Sequence, residues 1–167
     1  GKERKRVRFE ARQRDKHVAV ERSARERHGA DVRVARLDAA RIGADPDRLA
    51  VGGDSSGGTM ATVVCHLAHE RGGPAICHQF LWYPGVGSLG PTESVEKYAK
   101  GYFLENDLMI WSMNNYLNGP HEMTDPRVQP IRIADLGHMP PTFLMTAGYD
   151  PRRDDNRLYA EKLRGAG

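Results

Sequence analysis

The chain has 167 residues, enough for one domain with a core of its own and too few for two ordinary ones. Apolar residues make up 39% of it, aromatics 7%, and no apolar run approaches the length of a membrane span, so a soluble globular protein is expected rather than a membrane-embedded one. Cys65 and Cys77 are too few for a disulfide scaffold, and the N-terminus is charged with no apolar signal core, which makes the cytoplasm the expected compartment.

The net charge of +3 is unevenly spread. Residues 1–36 carry 13 Lys/Arg against 6 Asp/Glu, and the rest of the chain carries 12 against 16. This segment holds few large apolar side chains, so it is expected to be a poorly ordered basic arm or non-native coding sequence, ahead of a domain spanning residues 37–167. Its arginines could contact nucleic acid, but no aromatics interleave with them and no nucleic-acid motif is present, so a solvated charge run is the preferred reading.

From Leu37 the pattern becomes that of a folded domain. Leu37, Ala40, Arg41 and Ile42 end a helix that Gly43 can cap, and Asp45-Pro46-Asp47 turns the chain. Residues 49–52 read as a short strand buried on both faces. Gly53-Asp54-Ser55-Ser56-Gly57 then fits G-x-S-x-G, a sharp strand-to-helix turn that holds a serine hydroxyl clear of the backbone. Phosphate-binding alternatives fail on spacing: Gly58 stands where a Walker loop needs lysine, and the dinucleotide glycine pattern is absent. A plain turn remains the bland alternative.

Residues 57–70 read as a helix with Met60, Val63, Val64 and Leu67 at core spacing, on which Cys65, His66 and His69 simply ride. Residues 75–83 form a second strand that includes Cys77 and His78. The spacings among these Cys and His residues match no known zinc set, so no metal is expected. A polar connection over residues 91–100 leads to a helix over 102–117 with Leu104, Leu108, Trp111 and Met113 among its apolar positions. After a proline-punctuated excursion over 125–139, Pro140-Pro141 introduces a third strand, residues 142–147, and a last helix runs over 154–165.

Alternating strands and helices imply an α/β fold, a parallel sheet with flanking helices whose ligands sit beyond the carboxyl ends of the strands. Ser55 and Asp150 both fall at such ends. A serine nucleophile and a carboxylate on one sheet edge could share a bridging imidazole.

The run from Gly43 to Gly58, Gly-Ala-Asp-Pro-Asp-Arg-Leu-Ala-Val-Gly-Gly-Asp-Ser-Ser-Gly-Gly, resembles the hormone-sensitive-lipase-like branch of the α/β-hydrolases, the bacterial carboxylesterases. Tyr83-Pro84, Gly101-Tyr102-Phe103-Leu104, Asp125-Pro126-Arg127, Pro140-Pro141 and Thr146-Ala147-Gly148-Tyr149-Asp150-Pro151 follow in that family's order. The resemblance implies a partial α/β-hydrolase fold and ester hydrolysis through an acyl-enzyme, with Ser55 as nucleophile, Asp150 as acid and the Ser56 N–H as one oxyanion donor. It implies a small-molecule ester as partner and no cofactor.

The same resemblance places a His-Gly-Gly-Gly oxyanion loop upstream, where this chain has its basic arm. It places the catalytic histidine about 20 to 40 residues beyond the acid's helix. None of the seven histidines stands there, and His138 precedes Asp150. The chain is therefore expected to be a truncated member that retains nucleophile and acid, with a non-catalytic binding or interaction module as the alternative.

Overall fold

A computed structural model describes residues 39, 41 and 43–167. The basic arm, residues 1–36, lies outside the described residues. Gly43 takes φ +75°, and the Ala44 N–H donates to the Ala39 carbonyl at 2.8 Å. The Asp45 carboxylate accepts the Asp47 N–H at 2.9 Å, closing the turn around Pro46.

Three parallel strands form the sheet, in the order β1-β2-β3: β1 is Leu49–Asp54, β2 is Ile76–Trp82 and β3 is Thr142–Met145. Helix α1, Ser56–Glu70, joins β1 to β2, and α4, Arg153–Ala166, follows β3. Between β2 and β3 lie α2, Glu93–Tyr98, α3, Asn106–Tyr116, and two short 3-10 turns at Pro120–Thr124 and Pro130–Arg132. The expected α/β fold with a parallel sheet and flanking helices is therefore present.

The core lies on one face of the sheet. Leu81 of β2, Ala61 of α1 and Tyr159 of α4 meet there with Val86, Ile131, Ile133 and Leu136. The last three come from the proline-punctuated excursion, whose backbone is tied in by the Ile131 N–H to the Val86 carbonyl at 2.9 Å and by the Lys162 ammonium to the Ile131 carbonyl at 2.6 Å. Beneath them Gln79 is wholly buried and wholly committed. Its amide oxygen accepts from Thr62 of α1 at 3.1 Å, and its amide nitrogen donates to Thr142 of β3 at 2.8 Å. A buried amide satisfied on both sides avoids the desolvation cost of an orphaned polar group and ties a helix to two strands.

Several expectations are corrected. β1 runs on to Asp54, and it is not buried on both faces: it is the edge of the described sheet, with Ala50, Gly52 and Asp54 exposed. Met60 is 51% exposed, because the helix face that packs on the sheet is the one carrying Ala61, Thr62, Cys65, Leu67 and Ala68. Cys65 accordingly belongs to the core instead of riding on the surface. The residue 91–100 connection contains α2, and the next helix starts at Asn106, not Tyr102. None of the α3 residues is buried, so Leu108, Trp111 and Met113 stand outside the core, as does Leu104 ahead of the helix.

Burial pushes the Cys65 thiol up to about 12, whereas Cys77 is exposed. Since the thiolate is the reactive form, iodoacetamide at pH 8 is expected to label Cys77 in the folded chain and to reach Cys65 only after denaturation. Mass spectrometry of the labelled peptides reads the difference.

Candidate active site at the strand ends

The β1–α1 junction is shaped by glycines. A Cβ on Gly53 would stand 2.4 Å from the Gly57 carbonyl carbon, and one on Gly58 would stand 2.8 Å from Pro84 Cβ. Only residues without side chains let the strand run directly into the helix at this distance. The turn falls on Ser55, whose backbone sits at φ 50°, ψ −120°, a region that side chains rarely adopt. The Ser55 N–H donates to the Trp82 carbonyl at 2.9 Å, and its carbonyl accepts from Gly85 at 3.3 Å. The strained residue is thus gripped from β2 and the loop after it. Ser55 and Ser56 are exposed, and Ser56 opens α1, where the first N–H groups have no intrahelical partner.

Asp150 follows β3 at the same carboxyl edge. β1 and β3 flank β2, so the two loops leave the sheet about 10 Å apart, two strand spacings. The Asp150 carboxylate accepts the Arg152 N–H at 2.7 Å, and the Asp150 carbonyl accepts from Arg153 at 3.0 Å. The turn is then fastened to α2. Ser94, fully buried, donates its hydroxyl to the Pro151 carbonyl at 2.8 Å, and its N–H donates to the Asp154 carboxylate at 2.8 Å. Hydrogen bonding from Arg153 holds the Asp154 carboxyl below its ordinary range. Tyr149 stacks on Tyr102 with ring centroids 5.4 Å apart, and Tyr98 meets both edge-on.

This clamp was not foreseen from the sequence, although a signal existed. Thr92 ahead of Glu93-Ser94-Val95 is an N-cap, and its hydroxyl accepts the Val95 N–H at 3.4 Å.

The described histidines lie elsewhere. His66 and His138 meet at the far side of α1, with His69 stacked on His138. The His78 ring packs beside Phe80 on the open face of the sheet. Among the described residues no hydrogen bond joins a histidine to Ser55 or Asp150. A cleft of about 470 Å³ among the described residues is bordered by His66, Glu70, His121, Asp125 and Arg127, and Ser55 does not line it. It is a surface recess between α1 and the excursion.

Backbone strain of this kind costs on the order of 1–3 kcal/mol, while glycine's extra freedom in the unfolded chain costs about 0.5–1 kcal/mol. Ser55→Gly is therefore expected to raise stability by about 1 kcal/mol, and Gly53→Ala to lower it by roughly 1–3 kcal/mol through overpacking. Gly90→Ala, where a Cβ meets open space, is the neutral control. Urea midpoints of the three variants check the order.

A sequence profile of the family described as alpha/beta hydrolase fold matches residues 8–167. The chain is 38% identical over 131 residues to the carboxylic ester hydrolase LipN of Mycobacterium tuberculosis, covering 75% of this chain and 35% of that protein. It is 38% identical over 134 residues to the carboxylesterase NlhH of the same organism, covering 78% and 42%. Among solved structures, the thermophilic carboxylesterase EstE1, cloned from a metagenomic library, superposes with a TM-score of 0.78 at 40% identity, over 85% of this chain and 49% of that one. The chain spans less than half the length of these relatives. Its sequence and its strand-to-helix architecture together establish that the chain belongs to the α/β-hydrolase fold family, in its hormone-sensitive-lipase-like branch.

Proposed function

We propose that this chain carries the nucleophile and acid of a serine carboxylesterase, with Ser55 as nucleophile, Asp150 as acid and the Ser56 N–H as an oxyanion donor. The observation that carries the reading is the strained, exposed Ser55 at the end of β1, with Asp150 beyond β3 on the same sheet edge. An imidazole between them would take the Ser55 proton as the hydroxyl oxygen attacks the ester carbonyl. The alcohol would leave with that proton, and water would repeat the attack on the acyl-enzyme to release the acid. Negative charge on the tetrahedral oxygen would be met by the unpaired N–H groups at the start of α1.

The substrate class is a small carboxylic ester, the chemistry in the names of LipN and NlhH. No described histidine bonds to either residue, which favours, as a second reading, a binding fold without hydrolysis in the chain by itself.

The two readings separate on the purified chain with a chromogenic short-chain ester and a fluorophosphonate probe. A working hydrolase turns the ester over, loses that turnover in Ser55→Ala, and loses about 10⁴-fold in Asp150→Asn. Absence of both turnover and Ser55 labelling overturns autonomous catalysis.

A further inference from the structure

His66 and His138 are 72 residues apart in sequence and face each other across the α1–excursion contact, His66 Nδ1 lying 3.0 Å from His138 Nε2. The far nitrogen of His66, Nε2, lies 3.4 Å from the Glu70 carboxylate one turn along α1. A carboxylate in that position favours the tautomer with the proton on Nε2, which leaves a lone pair on Nδ1, and His138 joins it as a ligand in the tautomer that carries its proton on Nδ1 and leaves Nε2 free. The His138 ring is in turn held flat by His69, stacked at 4.3 Å with 16° between the planes. We propose that His66 Nδ1 and His138 Nε2 form a two-nitrogen site for a divalent transition cation of the Ni²⁺ and Cu²⁺ type, which bridges α1 to the proline-punctuated excursion.

The 3.0 Å separation of the two nitrogens, which is also the length of their hydrogen bond, suits that ion class. Metal–imidazole bonds of about 2.1 Å place two nitrogens about 3.0 Å apart when they bind at neighbouring corners of a square or octahedron. A tetrahedral ion would need them a few tenths of an ångström further apart. Imidazole nitrogen also suits this part of the transition series, whereas Mg²⁺ requires oxygen. Among the described residues no three ligating side chains converge on one point, so water completes the coordination and the affinity is that of a two-histidine chelate. His66 lines the 470 Å³ cleft, which gives solvent access to the pair. The bland alternative is a His–His hydrogen bond that fastens the same two segments and binds nothing.

An ion that binds only the folded chain raises its thermal midpoint. Adding NiCl₂ is expected to raise the midpoint of the full chain, EDTA to reverse the shift, and MgCl₂ to leave it unchanged. His66→Ala and His138→Ala are each expected to abolish the shift, Glu70→Gln to weaken Ni²⁺ about tenfold, and His121→Ala to retain it. Diethylpyrocarbonate modification of the unsubstituted chain gives a reading that does not depend on the variants folding: Ni²⁺ is expected to slow modification of His66 and His138 and to leave His78 unaffected. A midpoint that does not respond to Ni²⁺, a shift that survives both alanine substitutions, or equal modification with and without Ni²⁺ would each overturn the proposal.

Discussion

The constraint on which the candidate site depends is the approach of α1 to β1 through Gly53, Gly57 and Gly58. With a Cβ on Gly53 the helix would have to start further from the strand, and with one on Gly58 it would be pushed off Pro84. The glycines let the chain reverse within one residue, and that residue is Ser55. Its unusual backbone is held because neighbours over-determine it: β1 hydrogen-bonds to β2 up to Asp54 opposite Trp82, and the next N–H continues the ladder to the Trp82 carbonyl. The second non-glycine residue with positive φ, Tyr83, closes β2 one position further along the same edge, its N–H bonded to the Met145 carbonyl at 2.7 Å. Among the described residues the two non-glycine positions with positive φ both stand where the strands end, one of them at Ser55.

The two faces of the sheet are treated differently. α1 and α4 both pack on the face of Leu81 and Gln79, where Tyr159 is fully buried. On the opposite face Phe80, Trp82, Phe143 and Met145 are exposed, in register across β2 and β3. Parallel sheets normally have both faces covered. The excursion between α3 and β3 adds Ile131, Ile133 and Leu136 to the first face only, so the described fold has one well-made core and one open aromatic surface.

The Asp150 side of the edge is organised by an element that does little else. α2 is six residues long and buries only Ser94, yet that serine reaches both Pro151 and Asp154. Two hydrogen bonds from one buried side chain and its N–H set the turn that presents Asp150, and the Tyr98–Tyr102–Tyr149 cluster covers it. In the proposed reading, a carboxylate held in this way is fixed before a partner arrives, which is how charges act most effectively in a reaction.

The three strands and the helices after β1 and β3 were legible along residues 49–165, and the sharp turn at Ser55 from residues 43–58, because they depend on glycine, proline and apolar spacing within a few positions. Three things could not be read that way. Which face of α1 is buried depended on the sheet it meets, so Cys65 went inside and Met60 outside. The role of Ser94 depended on a partner 60 residues away, as did the pairing of His66 with His138 across 72. By itself the sequence determined that a strand would break into a strained serine turn, since only the glycine pattern satisfies the local sterics. Tertiary structure alone decided which distant side chains stand beside that turn and beside α1, because those contacts arise from packing and leave no periodic trace along the chain.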